Sequence, residues 1–180
     1  MTPILGISGS LRKGSFNTAL LKAAQQLLPS AIELADIRDI PLYNGDVESA
    51  GTPDPVLDLQ QRLSAASGLL LATPEYNNSV PGVLKNTIDW LSRPSGDLKN
   101  LFSGKPVAVM GASPGGFGTV MAQSAWLPVF RSLGARHWSA GRLMVSGAGR
   151  VFDSNGDLAD EQMKQRLEQF VKEFAVFCEG

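Results

Sequence analysis

The chain has 180 residues, 43% apolar and 18% charged, with sixteen Lys and Arg against seventeen Asp and Glu for a net charge of −1. That suits one globular domain able to fold without disulfide or metal, and the near-neutral balance argues against nucleic acid, an anionic membrane or an acidic electron carrier docking by charge. One Cys and one His exclude an internal disulfide framework and the usual structural zinc sites. No apolar run approaches the roughly 20 residues that span a bilayer, and Met1 to Gly6 lacks a basic-then-apolar leader pattern. The expectation is a cytoplasmic protein with a single domain over residues 1–180.

In chain order, Ile4 to Ser8 is a short strand ending at Gly9. Phe16 to Leu28 repeats apolar residues at helical spacing and stops at Pro29. Ile32 to Ile37 alternates apolar and acidic residues as a second strand would. Arg38 to Pro55 is a long turn-rich connection. Val56 to Ala66 reads as a helix, with Asp54 before Pro55 as its cap. Gly68 to Thr73 is continuously apolar, as in a strand covered on both faces. Val80 to Leu91 is helical, and Val107 to Met110 is a buried strand. Thr119 to Leu133 is a helix interrupted by Pro128 and ended by Gly134. Arg142 to Val145 is a fifth strand, approached through His137 to Ala140, and Leu158 to Phe177 is a long amphipathic helix. Five strands alternating with five helices predict a parallel sheet with helices on both faces, because parallel strands need crossover connections. Ligands of such sheets bind beyond the carboxyl ends of the strands.

Three loops at those ends stand out. Ser8 to Thr18 places hydroxyls, Asn17 and Arg12 at the start of a helix, where backbone N–H groups and the helix dipole suit a phosphate. Gly9 and Gly14 have the spacing of a Walker loop, but Ser15-Phe16 stands where Lys-Ser/Thr is needed, and no G-x-G-x-x-G occurs. The loop reads as a monophosphate cradle or as an ordinary strand-to-helix turn with a Ser cap. Thr73 to Gly82 offers a Pro-fixed turn, Tyr76 and several amides. It suits either a flat heterocycle or a helix start with Ser79 as cap and Pro81 in the first turn. Gly111 to Thr119 has glycines that let a ligand approach the backbone, or that leave the loop flexible.

The stretches Gly6-Ile7-Ser8-Gly9-Ser10-Leu11-Arg12…Ser15-Phe16-Asn17-Thr18 and Pro74-Glu75-Tyr76-Asn77…Pro81-Gly82-Val83-Leu84-Lys85-Asn86…Asp89-Trp90 resemble the NADPH-dependent FMN reductase family. The nearest branch holds the soluble quinone, chromate and azo-dye reductases. The resemblance implies a flavodoxin-like three-layer α/β sandwich with sheet order 2-1-3-4-5, FMN as cofactor, NADPH or NADH as hydride donor, and dimers or dimers of dimers. It puts Ser10, Arg12, Ser15, Phe16, Asn17 and Thr18 on the FMN phosphate. Pro74, Glu75, Tyr76 and Asn77 then run along the isoalloxazine edge, with Ser113, Gly115, Gly116 and Phe117 on its other side. Catalysis is carried by the flavin, with no side-chain nucleophile, no proton donor and no metal. The acceptors implied are small molecules: quinones, free flavin, azo compounds or chromate, reduced by a ping-pong mechanism. A flavodoxin-type electron carrier, or a flavin-binding regulatory module without NAD(P)H turnover, is the alternative.

His137, Cys178, Trp126 and Trp138 read as structural. The apolar arc of the Val80–Leu91 helix is wide, with Trp90 at its edge. That predicts cover by a second subunit, unless the Arg38–Pro55 connection folds over it within one chain.

Overall fold

The computed structural model describes residues 2–93, 96, 98 and 100–180. Along the chain run β1 (Ile4–Ser8), α1 (Phe16–Leu27), β2 (Ile32–Ala35), α2 (Gly45–Ala50), α3 (Asp54–Ala65), β3 (Gly68–Ala72) and α4 (Gly82–Leu91). There follow β4 (Pro106–Ala112), α5 (Val120–Leu133), β5 (Arg136–His137), β6 (Leu143–Val145) and α6 (Glu161–Glu179), with a 3-10 turn at Ala148–Arg150. The sheet is parallel throughout, in the order β2-β1-β3-β4-β5, with β6 also paired to β4. This is the predicted flavodoxin-like order.

Alternation along the central strands builds two cores. Leu69 and Leu71 of β3 face α3, α4 and α5, packing with Leu59, Leu63, Leu84, Ile88, Trp126 and Phe130. Leu70 and Ala72 point the other way, toward Leu20 and Leu21 of α1 and Leu167, Phe170 and Phe174 of α6. Every residue of β3 and β4 is buried, which accounts for their unbroken apolar sequence.

Four departures from the sequence reading have local causes. The connection after β2 contains a short helix, α2, capped by Asn44, whose Oδ1 accepts from the Asp46 N–H at 2.9 Å. None of its residues is buried, so no apolar periodicity announced it. Helix α4 begins at Gly82 with Pro81 as its cap, and Ser79 belongs to the preceding turn. Helix α6 begins at Glu161 behind the Asp160 cap, while Leu158 bridges back to Phe152. The predicted fifth strand is split: β5 pairs with the start of β4 and β6 with its end. Between them the chain leaves the sheet so that the Trp138 ring packs at 5.1 Å from Phe170 and 5.7 Å from Phe174. Gly141 lies directly against that indole, where any Cβ would collide.

The wide arc of α4 is covered from within the chain. Trp90 is only 1% exposed. Its Nε1 donates to the Pro41 carbonyl at 2.9 Å, and Tyr43 packs edge-on against its ring at 5.1 Å. Asn86 locks the same strap: its Nδ2 donates to the Pro41 carbonyl, and its Oδ1 accepts from the Tyr43 N–H. The expectation that a second subunit covers Trp90 is therefore corrected.

Candidate functional site

At the carboxyl end of β1, the Gly9 N–H donates to the Ala72 carbonyl at 2.9 Å. A side chain at Gly9 would meet Leu84 and Pro74 at 2.9 Å, so the glycine lets the first and second loops touch. Residues 10–15 then fold tightly, with the Arg12 N–H donating to Ser10 Oγ (3.4 Å) and the Ser15 N–H to the Arg12 carbonyl (3.1 Å). Ser15 caps α1 by accepting from the Thr18 N–H, and Thr18 Oγ1 is bonded to Ser8 Oγ at 2.8 Å. An accepting Ser hydroxyl keeps its own proton to donate, and the first N–H groups of any helix lack partners inside it. These donors form a cluster suited to an anion. Arg12 is exposed, its guanidinium 5.6 Å from the Phe16 ring, and Phe16 stacks on Phe152 at 5.5 Å.

Asn17 is not in that cluster. It is 4% exposed, and its side chain points into the fold, where Nδ2 donates to the Ala112 carbonyl and Oδ1 accepts from the Ala112 N–H, each at 2.9 Å. The Asn17 side chain is committed to a clamp between α1 and the end of β4, which leaves its backbone N–H in the first turn of α1 for a phosphate.

The second loop leaves β3 through Thr73, whose Oγ1 accepts from Trp126 Nε1 at 3.1 Å. Pro74 is buried, and Tyr76 to Ser79 closes a hairpin turn by bonds in both directions. Asn77 and Asn78 have φ of 51° and 59°, the left-handed conformation that a type I′ turn needs and Asn tolerates. The turn holds Tyr76 outward, 48% exposed. Glu75 is turned to the protein: Oε2 accepts from the N–H groups of Met121 (2.8 Å) and Ala122 (3.0 Å), capping α5 where Thr119 makes no side-chain cap. One carboxylate oxygen is thus committed to α5.

The third loop is buttressed by a segment that sequence reasoning missed. The Ser113 N–H donates to the Val145 carbonyl, the Gly147 N–H to Gly115 and the Ala148 N–H to Ser113. The signal available was Ser146-Gly147-Ala148-Gly149, a small-residue loop after a strand like the others. Around Gly116 no heavy atom lies within 4 Å of where a Cβ would stand, and around Gly115 only Ser113 Oγ does, at 3.8 Å. Neither glycine has the positive φ that would demand it. Packing and backbone leave both positions open, so neither residue obstructs a flat group laid against the chain there. Phe117 beside them is 84% exposed. Asn17, Glu75 and Gly9 thus tie all three predicted loops into one surface at the carboxyl edge. Among the described residues, no group of three or more His, Cys, Asp or Glu could hold a metal, and no helix is long and apolar enough to cross a membrane.

The model of the NADPH-dependent FMN reductases matches residues 2–150. The chain belongs to that family. It is 47% identical to an NAD(P)H-dependent FMN reductase of Pseudomonas aeruginosa, over 92% of this chain and 89% of that protein. It is 37% identical to a 2-hydroxy-1,4-benzoquinone reductase of a Burkholderia species, over 95% and 93%. Among solved structures, the flavoenzyme NAD(P)H:(acceptor) oxidoreductase FerB of Paracoccus denitrificans superposes with a TM-score of 0.88 at 35% identity, covering 99% of this chain and 98% of that one. This FMN reductase is accordingly an NAD(P)H-dependent oxidoreductase with FMN as its cofactor. The electron-carrier alternative falls away.

Proposed function

We propose that this FMN reductase transfers electrons from NAD(P)H to quinones, so that NAD(P)H, a proton and a quinone become NAD(P)+ and a hydroquinone. The observation that carries this reading is the hydroxyl cluster of Ser10, Ser15 and Thr18 at the start of α1, with the open glycine shelf of Gly115 and Gly116 at the same strand ends. When bound, FMN supplies the redox chemistry. The chain's own residues bind and orient. Ser10, Ser15, Thr18 and the first N–H groups of α1 donate to the phosphate, with Arg12 adding charge and the Phe16 backbone opening the helix. Backbone groups of Pro74, Glu75, Tyr76 and Asn77 address one edge of the ring, and Ser113 through Phe117 its other side. Tyr76 and Phe117, both exposed, are placed to cover flat substrates and exclude water. This is catalysis by positioning.

Donor and acceptor use one face in turn, so the kinetics are ping-pong. Azo compounds, chromate and free flavin belong among the acceptors tried. Steady-state rates with NADPH and a benzoquinone test the reading. Parallel double-reciprocal lines are expected, and intersecting lines, or no turnover by the FMN-loaded protein, would overturn it. A homodimer or dimer of dimers is part of the proposal, supported by the exposed apolar side chains Leu42, Met121 and Leu127. Light scattering showing one chain's mass with full activity would remove it.

A further inference from the structure

A cleft of about 440 Å³ opens at the carboxyl ends of β1 and β2; it shares Ser10, Arg12 and Thr18 with the flavin-phosphate loop, and the proposed function leaves its β2 side, from Lys22 to Arg38, unused. Its apolar floor is made by Leu21, Leu34 and Ile37, and its rim carries Arg12, Lys13, Lys22 and Arg38 against one carboxylate, Asp36. Among the described residues Arg12, Lys13 and Lys22 have no ion pair. Arg38 is held by Asp36, its Nε 2.7 Å from Oδ2. Partial burial works against the charge of Asp36, but bonds from the Arg38 backbone and side chain outweigh it and hold the carboxyl below its usual range. Asp36 therefore acts as the anchor of Arg38. Across Lys13 and Lys22 on the other side stand Asp153 and Asp157. Asp153 is occupied, its Oδ1 accepting from the Asn155 and Asp157 N–H groups.

An apolar floor under a rim of four cations, three without an ion pair and Arg38 fixed in place by Asp36, suits a flat base that carries a phosphate. One such group is already due at this edge. Strands stand about 4.8 Å apart, and β2 is separated from β3 and β4 by two and three such steps. From the shelf above β3 and β4 to the end of β2 is therefore about 10–15 Å, within the reach of an extended dinucleotide whose nicotinamide lies at the shelf. We infer that this cleft receives the adenosine end of NADPH, with Lys22 and Arg38 gripping the 2′-phosphate that NADH lacks. The inference rests on the proposed function for the position of the nicotinamide. It deepens that reading by assigning the donor preference to residues outside the flavin site.

Direct titration reads it without turnover. The FMN-loaded protein is titrated calorimetrically with 2′,5′-ADP and with 5′-AMP. The first is expected to bind at least about tenfold more tightly, and Lys22→Ala with Arg38→Ala to bring the two within about twofold. In steady state the same double variant should raise the NADPH KM about tenfold or more, leave the NADH KM within about twofold, and keep its flavin absorbance. Lys22→Arg with Arg38→Lys should retain the preference. Equal affinity in the parent protein, a preference that survives the double variant, parallel losses with NADH and NADPH, or loss of FMN would each overturn it. Selective 2′,5′-ADP binding in a protein that reduces no quinone would sustain it while striking down the proposed acceptor.

Discussion

Asn17 and Ala112 exchange two hydrogen bonds of 2.9 Å across 95 positions of chain, side-chain amide to backbone, in a fully buried setting. The pair fixes the start of α1 to the end of β4 and so sets the distance between the phosphate loop and the glycine shelf. Asn17→Ala leaves both backbone groups of Ala112 without these partners in the interior, at a cost of about 2–4 kcal/mol. Urea denaturation of the apoprotein measures it directly, because a residue serving only the phosphate would leave apoprotein stability unchanged. Ser15→Ala, which removes the α1 cap, should cost about 1 kcal/mol in the same experiment.

Glu75 predicts a different signature. Its carboxylate holds the first N–H groups of α5, a charge-assisted cap aligned with the helix dipole. Glu75→Ala should destabilise by about 1–2 kcal/mol and raise amide hydrogen exchange at Met121 and Ala122. Glu75→Gln, which keeps one acceptor, should lose less. Exchange at those two amides that does not respond to either change would show that α5 needs no cap from the second loop.

The fold was legible wherever burial writes itself into neighbouring residues. Gly68 to Ala72 reads as a central strand because both its faces are covered, and the three loops read as ligand loops because small residues follow strands. What escaped was long-range pairing. Nothing near Asn17 points to Ala112, and nothing near Glu75 points to α5, since a polar side chain shows its capacity to bond and not its partner. The arc of α4 was equally plain, yet which surface covers Trp90 depended on a strap of polar and exposed residues, Pro41 to Ala50, that carries no periodicity. The break in the fifth strand follows from the packing of Trp138 on α6, a tertiary demand that overrides local strand propensity.

Trp90 is anchored within its own chain, so its removal is a folding lesion first. Trp90→Ala should cost about 3–5 kcal/mol and loosen the strap. Trp90→Phe keeps most of the packing and loses one bond, about 0.5–1.5 kcal/mol, because the Pro41 carbonyl still accepts from Asn86. Limited proteolysis reads the strap: cleavage within residues 41–50 should rise in Trp90→Ala and stay near the parent rate in Trp90→Phe. Equal cleavage in both would mean that the indole does not hold this segment.

His137 gives the protein a pH dependence on its acid side. Its ring stacks on Phe130 at 5.7 Å, and burial lowers its pKa from the ordinary 6.5. The unfolded chain therefore takes up a proton at a higher pH than the folded one. This contribution is complete above 6.5 and is lost as pH falls below 6.5 toward the folded value. His137→Gln should flatten the stability profile below pH 6.5. A profile with the same slope in both proteins would assign the dependence to other groups.

Cys178 lies near the opposite edge of the sheet, its Sγ packed close to Gly68. Burial pushes its pKa up to about 11, with Glu179 adding to the rise and the nearby charges of Arg136 and Lys105 opposing it. At pH 8 only about one thiol in a thousand is then ionised, against about a quarter of free cysteine. Because the thiolate is the reactive species, iodoacetamide should modify the native protein about two orders of magnitude more slowly than a free thiol. Guanidinium should restore the ordinary rate. Cys178→Ser should leave quinone reduction intact, since the site is assembled at the other end of the strands. Rapid alkylation of the folded protein at pH 8 would contradict the burial on which this prediction rests.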